Sequence, residues 1–190
     1  MEIAELLKYT GFIGLAAGLA TVIVGAFVAD KSFSKLVTLS ESSLYDKDTK
    51  QVVLIGMIFT GILIPITTYQ LNTYLSPEKT EDFVYISIVA GVFSAITPIL
   101  IATGYYKQHL FTAGIYAFTT FIYQFMIVSY LHSYAHSLTQ LLLGIAVIDL
   151  VAYILGVILF SKKGIIFELS FALFTGLFML LVNIIYLYEY

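Results

Sequence analysis

Six apolar runs, each long enough to cross a lipid bilayer, take up most of this sequence. They are Gly11–Ala29, Val52–Tyr69, Phe83–Tyr105, Leu110–Leu131, Leu138–Phe160 and Ile165–Tyr186. A hydrocarbon core of about 30 Å takes about 20 residues of helix to cross. No water reaches the backbone there, so each run must close its own N–H···O=C bonds, and that requires a helix. A membrane barrel would alternate apolar and polar residues; runs such as 91–103 and 171–185 do not. The expected fold is all-α: a single domain over 1–190, an integral membrane bundle of six transmembrane helices.

Composition agrees. Hydrophobic residues make up 60% of the chain and charged ones 11%, with a mean hydropathy of +0.97. Soluble domains carry roughly 25% charged residues, so this chain lacks a polar coat and its solvent is lipid. The net charge of −3 excludes nucleic acid, which demands a basic face. With no cysteine, disulfides, thiolate metal sites and thiol nucleophiles are excluded. All nine basic residues are lysines, so no bidentate fork for phosphate or carboxylate exists. Residues 1–10 are not those of a cleavable signal. The excess of Ile, Tyr and Ser without Cys or Trp has an archaeal character.

The connections carry the charges. Residues 30–50 form the longest expected loop, laid along the inner surface by Phe33, Leu36, Val37 and Leu39 with Lys31 and Lys35 reaching phosphates. Residues 76–82 make a turn and a helix start. Lys107-Gln108-His109, 132–137 and Ser161-Lys162-Lys163-Gly164 are tight connections, which make sequential helices antiparallel. Loops one, three and five then hold Lys31, Lys35, Lys47, Lys50, Lys107, Lys162 and Lys163, against Lys8 and Lys79 on the other side. Seven against two places these loops in the cytoplasm of a plasma-membrane protein and both termini outside. Tyrosines serve as interface anchors: Tyr69, Tyr74, Tyr85, Tyr130, Tyr186, Tyr188 and Tyr190 outside, Tyr105 and Tyr106 inside.

Small residues mark helix contacts. Gly11, Gly14, Gly18 and Gly25 line the first span, with a GxxxG at 14–18, and Ala152 and Gly156 form a second small pair. Pro65 and Pro98 each remove a backbone bond within a span.

Asp149 is the sharpest chemical feature. An ionised carboxylate in mid-span costs at least roughly 2.5–3.5 kcal/mol, so Asp149 must face the interior, find partners or keep its proton. Antiparallel pairing about residue 134 sets it level with Thr120, on a stripe of Tyr116, Thr120, Tyr123 and Gln124; Tyr153 lies one turn away on its own helix. Hydrogen bonds to Asp149 are expected from Tyr116, Thr120, Gln124 or Tyr153. Two readings compete: a lock between helices, or a proton or cation site. Glu168 lies in the first turn of the sixth span, where the helix dipole stabilises a carboxylate. His132 and His136 have the spacing of a metal pair, but two ligands do not close a site. No metal, haem or other cofactor is expected, and no catalytic constellation is present.

The layout resembles an uncharacterised family of prokaryotic six-span membrane proteins, the DUF family numbered nine-nine-eight. That family's first span leads into a Ser-Asp-Leu-Gly-like motif and an apolar second span. Here Leu39-Ser40-Glu41-Ser42 precedes Gly56-Met57-Ile58-Phe59-Thr60-Gly61-Ile62-Leu63; glutamate replaces aspartate, and the motif glycine is missing. The resemblance implies a six-span fold and no particular activity. The expected function is an accessory or scaffolding membrane subunit, bound to lipid and to other membrane subunits of a respiratory or transport complex. The alternative is a small proton- or cation-coupled transporter or channel using Asp149.

Overall fold

The structure, a computed structural model, describes residues 9–28, 47–75, 80–133 and 137–189. All of its regular structure is helical among the described residues: α1 (Thr10–Val28), α2 (Lys47–Leu75), α3 (Thr80–Ala102), α4 (Tyr106–Ser133) and α5 (Thr139–Glu189). Residues 29–46, which include Leu39-Ser40-Glu41-Ser42 and the expected surface-lying loop, are outside the described residues. Residues 47–50 belong to α2 and not to the loop where the charge pattern placed them.

α5 runs from Thr139 to Glu189, and the chain turns back within it at residues 161–164, where the sequence suggests a tight connection. A straight helix would hold residues 149 and 175 about 39 Å apart at 1.5 Å per residue. Yet the Thr175 hydroxyl donates to Asp149 over 2.7 Å, and the rings of Tyr153 and Phe171 lie 5.8 Å apart. Both pairs are centred on residue 162. α5 therefore folds into two antiparallel arms, Thr139–Ile158 and Leu169–Leu187. Sharp helix bends gather at Gly and Ser, and Ser161 and Gly164 flank the bend.

Among the described residues, four segments are long and apolar enough to cross a membrane: Glu81–Ala102, Tyr106–Ser133 and the two arms of α5. Within α1 and α2 the described apolar stretches are shorter, Thr10–Thr21 and Leu54–Thr67. α1 packs on α2, α2 on α3, α3 on α4, and α5 against both α4 and α1. The Thr10 hydroxyl donates to Gln70 over 2.6 Å, and a Cβ on Gly11 would clash with Asn183. The start of α1, the end of α2 and the end of α5 thus share one end of the bundle. Most of the apolar core lies toward that end, with Phe83 of α3, Ile127 and Leu131 of α4, and Leu142, Ala146, Phe178 and Val182 of α5.

Small residues set the closest contacts, only partly where the sequence pointed. Gly14 faces Leu63, whose Cβ would be 3.3 Å from an added methyl group, and Gly18 stands looser against Thr60. Gly11 serves a different neighbour, Asn183, so the stripe does not dock on one helix. Gly25 lies in α1, but its surroundings are outside the described residues. Ala152 is half-buried and Gly156 buried. The tightest approach of two backbones went unread in the sequence: a Cβ on Gly61 would lie 2.6 Å from the Gly91 carbonyl oxygen, and one on Gly91 would clash with the Gly61 carbonyl. Pro65 has no N–H to give the carbonyl four residues back. That carbonyl is Gly61's, and Gly91 covers it.

The α3–α4 turn ends in a left-handed cap. Gly104 has φ 88°, its N–H bonds Ile101 O at 3.1 Å, and the Tyr105 N–H bonds Leu100 O at 2.8 Å. These are the paired bonds of a Schellman motif, which favours glycine at this position. Tyr105 and Tyr106 are exposed beside it, and Tyr69 and Tyr85 are exposed elsewhere on the surface. Tyr186 departs from the expected belt. It is buried in the core, packed with Val182 and Ile185 of the same cluster. Tyr74, Tyr188 and Tyr190 lie outside the described side chains.

Candidate functional site

Hydroxyls within a membrane helix need acceptors, and most here use their own backbone. Thr21, Thr60, Thr97, Thr119 and Thr120 each donate to a carbonyl four residues back, over 2.6–2.9 Å. Asp149 has no such recourse, since a carboxylate can only accept while ionised.

Asp149 is wholly buried in the middle of the first arm of α5. Its Oδ2 accepts a 2.9 Å bond from Gln124 Nε2 of α4 and the 2.7 Å bond from Thr175 Oγ1 of the second arm. Gln124 is also wholly buried, and its Nε2 stands 3.5 Å from Thr175 Oγ1. Three helical segments therefore meet at one oxygen atom. Asp149 Oδ1 and Gln124 Oε1 are buried without a hydrogen-bond partner.

The other sequence-derived candidates have separate roles. The Thr120 hydroxyl is spent on Tyr116 O, so it does not reach Asp149. The pairing of α4 with α5 is offset by one helical turn from a pivot at residue 134, which sets Gln124, not Thr120, beside Asp149. Tyr116 gives Asp149 no hydrogen bond; its ring meets Phe171 edge-on at 5.9 Å, and its hydroxyl lies beside Ser94 and Thr120. Tyr153 also gives Asp149 none. Its ring packs on Phe121 at 5.4 Å and on Phe171 at 5.8 Å. With the Phe121–Phe171 contact at 5.6 Å, these rings form an aromatic cluster between α4 and the two arms. Sequence reasoning missed Thr175. Only pairing the fifth and sixth spans about Lys162 would have found it, because that register sets residue 175 opposite 149.

A second polar group lies at the α3–α4 end. His109 is not in the connecting turn, as its neighbours suggested, but buried in α4. Its Nδ1 donates to Thr97 O over 2.9 Å. The Thr97 hydroxyl, whose proton goes to Phe93 O, lies 3.0 Å from the Thr112 hydroxyl, which donates to His109 O. The sequence signal was present: His109, Thr112, Tyr116, Thr120 and Gln124 follow helical spacing down one face of α4. Ser94, on the facing helix α3, is buried beside the Tyr116 hydroxyl.

His132 is exposed at the end of α4, while His136 lies outside the described residues, as does the Glu168 side chain. Among the described residues, no three His, Asp or Glu side chains gather as metal ligands would. Along α4 a groove of about 540 Å³ runs between Phe83 of α3 and Leu150 of α5, walled by Phe118, Phe125, Met126 and Tyr130.

Compared with protein-family models, curated proteins and solved structures, the chain matches none. Its described residues are helical, and among them four segments are long and apolar enough to cross a membrane.

Proposed function

We propose that this chain is an accessory or scaffolding subunit of a larger membrane complex, of respiratory or transport type. In this reading it sits in the plasma membrane as six spans with both termini outside, and it belongs with the six-span prokaryotic family that its layout resembles. The observation that carries the proposal is the role of Asp149. The one acidic residue in mid-span spends its oxygen on Gln124 and Thr175, so it joins helices as an interhelical lock does. α1 and α2 complete the six spans: at 19 and 29 residues they are about 28 and 43 Å long, against a hydrocarbon core of about 30 Å. The lysine asymmetry supports the orientation. The aromatic groove on α4 suits a transmembrane helix of a neighbouring subunit.

The test is affinity purification from native membranes in mild detergent, paired with photo-crosslinking from position 125. A fixed set of membrane partners, linked from within the groove, is the expected result. A chain that purifies alone and crosslinks only to lipid would refute the reading. A second reading, the small proton- or cation-coupled transporter, is favoured by one observation: buried hydroxyls continue from Asp149 along α4 to His109. In that case Asp149→Asn abolishes ion-linked uptake into vesicles while leaving the fold intact.

A further inference from the structure

We propose that Asp149 binds one proton as a structural ligand: its neutral carboxyl group closes a two-bond ring with the Gln124 amide, and that proton completes the joint between α4 and the folded-back α5. The inference rests on the reading of Asp149 as an interhelical lock and names the ligand that closes it.

A count of donors and acceptors carries it. Asp149 and Gln124 are both wholly buried. One bond already joins them, from Gln124 Nε2 to Asp149 Oδ2 over 2.9 Å. The Thr175 hydroxyl gives its hydrogen to the same Oδ2. Each residue then has one oxygen left, Asp149 Oδ1 and Gln124 Oε1, and neither has a partner among the described residues. Both oxygens only accept while the carboxylate is ionised, and the nearby Thr120 hydroxyl has given its hydrogen to Tyr116 O. Buried acceptors without a donor are rare because they are costly. One proton removes both faults. The two polar atoms of a carboxyl group and of a primary amide are planar and similarly spaced. A pair that shares one N–H···O bond can therefore close a second, O–H···O. The proton comes from water, sits on Asp149 Oδ1 and is donated to Gln124 Oε1.

Charge points the same way. The chain has no arginine, and no lysine lies between residues 107 and 162 or after 163. Lys162 is about 20 Å from Asp149 along a helix, so no cation on these segments offsets an ionised carboxylate in mid-span. A metal ion fits less well than a proton. Asp149, Gln124 and Thr175 meet here with four side-chain oxygens between them, against the six or so that a hard cation takes.

The proton makes the lock depend on pH. An aspartate in the unfolded chain is ionised at neutral pH, so the folded chain holds one proton more, and its stability falls as pH rises. The titratable groups around Asp149 are tyrosines: Tyr116 and Tyr123 of α4 and Tyr153 of its own arm. The second arm brings none nearer in sequence to Thr175 than Tyr186 among its described side chains, and α1, whose Leu15 reaches Gly176, has none from 10 to 28. α2 has Lys47, Asp48 and Lys50 in its first turn and Tyr69 and Tyr74 in its last two. On α3, Glu81, Asp82 and Tyr85 are exposed.

The experiment is infrared spectroscopy of the whole protein in lipid vesicles at neutral pH, in buffer free of sodium. The expected result is the carbonyl stretch of a protonated carboxyl group that vanishes in Asp149→Asn. Gln124→Leu and Thr175→Val should each move the band to higher frequency, because Oδ2 loses one hydrogen bond in each. In micelles, the folded-to-unfolded ratio of the wild type, divided by that of Asp149→Asn, should fall about tenfold per pH unit above neutral while the proton stays bound. The proposal is overturned if no such band belongs to Asp149 or if that quotient does not change with pH. A wild type stabilised by added sodium, beside an indifferent Asp149→Asn, would make the ligand a metal cation and overturn it too. Asp149→Leu as stable as the wild type would remove the lock and the proton's role with it, whereas a missing band beside an unstable Asp149→Leu overturns the proton alone. Native copurification tests the subunit reading separately.

Discussion

Consider replacing Asp149 by leucine and, separately, by asparagine. Leucine has as many side-chain heavy atoms as aspartate but is bulkier, so the change removes polarity and opens no cavity at this wholly buried position. Both bonds to Oδ2 vanish, the one from Gln124 and the one from Thr175. Interhelical hydrogen bonds in membranes are worth roughly 0.6–2 kcal/mol each. Gln124, wholly buried and with Oε1 already unpartnered, then loses its acceptor as well, and an unsatisfied buried group costs roughly 1–3 kcal/mol. These terms overlap, so the net loss expected for Asp149→Leu is about 2–4 kcal/mol. Asparagine keeps an oxygen for both donors and adds an N–H₂ that can face Gln124 Oε1. Asp149→Asn should stay within about 1 kcal/mol of the wild type. The assay is loss of helical circular dichroism in mixed micelles as the fraction of denaturing detergent rises. An asparagine variant as unstable as the leucine variant would refute the lock, because charge and not hydrogen bonding would then matter. A leucine variant as stable as the wild type would refute it too.

Other expectations come from packing and backbone. Gly61→Val must push apart two backbones already in contact through the Gly91 carbonyl, and should cost about 1–3 kcal/mol in the same assay. Gly144→Ala, where an added methyl meets nothing within 4 Å, should be neutral or stabilise by up to about 1 kcal/mol through helix propensity. Gly104→Ala forces a side chain onto a residue at φ 88° and should lower stability by roughly 1–2 kcal/mol. The absence of cysteine makes sided labelling clean: Lys107→Cys should react with an impermeant maleimide only from the cytoplasm and Tyr85→Cys only from outside. Reaction of both from one side would overturn the proposed topology.

Hydrophobic run length made the helices legible, because lipid leaves a long apolar segment no other backbone solution. The reversal near Lys162 was legible too, from two charged residues between apolar runs. Asp149 stood out because a carboxylate is costly among Ile148 and Leu150. Its partner Gln124 lay on the stripe named in advance, but the register was one turn off. Loop length at residues 132–137 fixes the pivot only to within a few residues, and each residue moves the facing position by two. Thr175 was invisible because threonines in membrane helices usually bond their own backbone, as Thr120 does here. The Gly61–Gly91 contact was obscured for a related reason. Single glycines on different helices carry no spacing signature, whereas the Gly14–Gly18 pair does and yet packs less tightly.

A double-mutant cycle between Asp149→Leu and Thr175→Val in the micelle assay tests most directly whether Asp149 ties the two arms of α5 together. The 2.7 Å bond between these side chains predicts non-additive losses, with a coupling of about 0.6–2 kcal/mol. Strictly additive losses would mean that the two residues do not meet, and that neither the lock nor the folded-back α5 exists in the membrane.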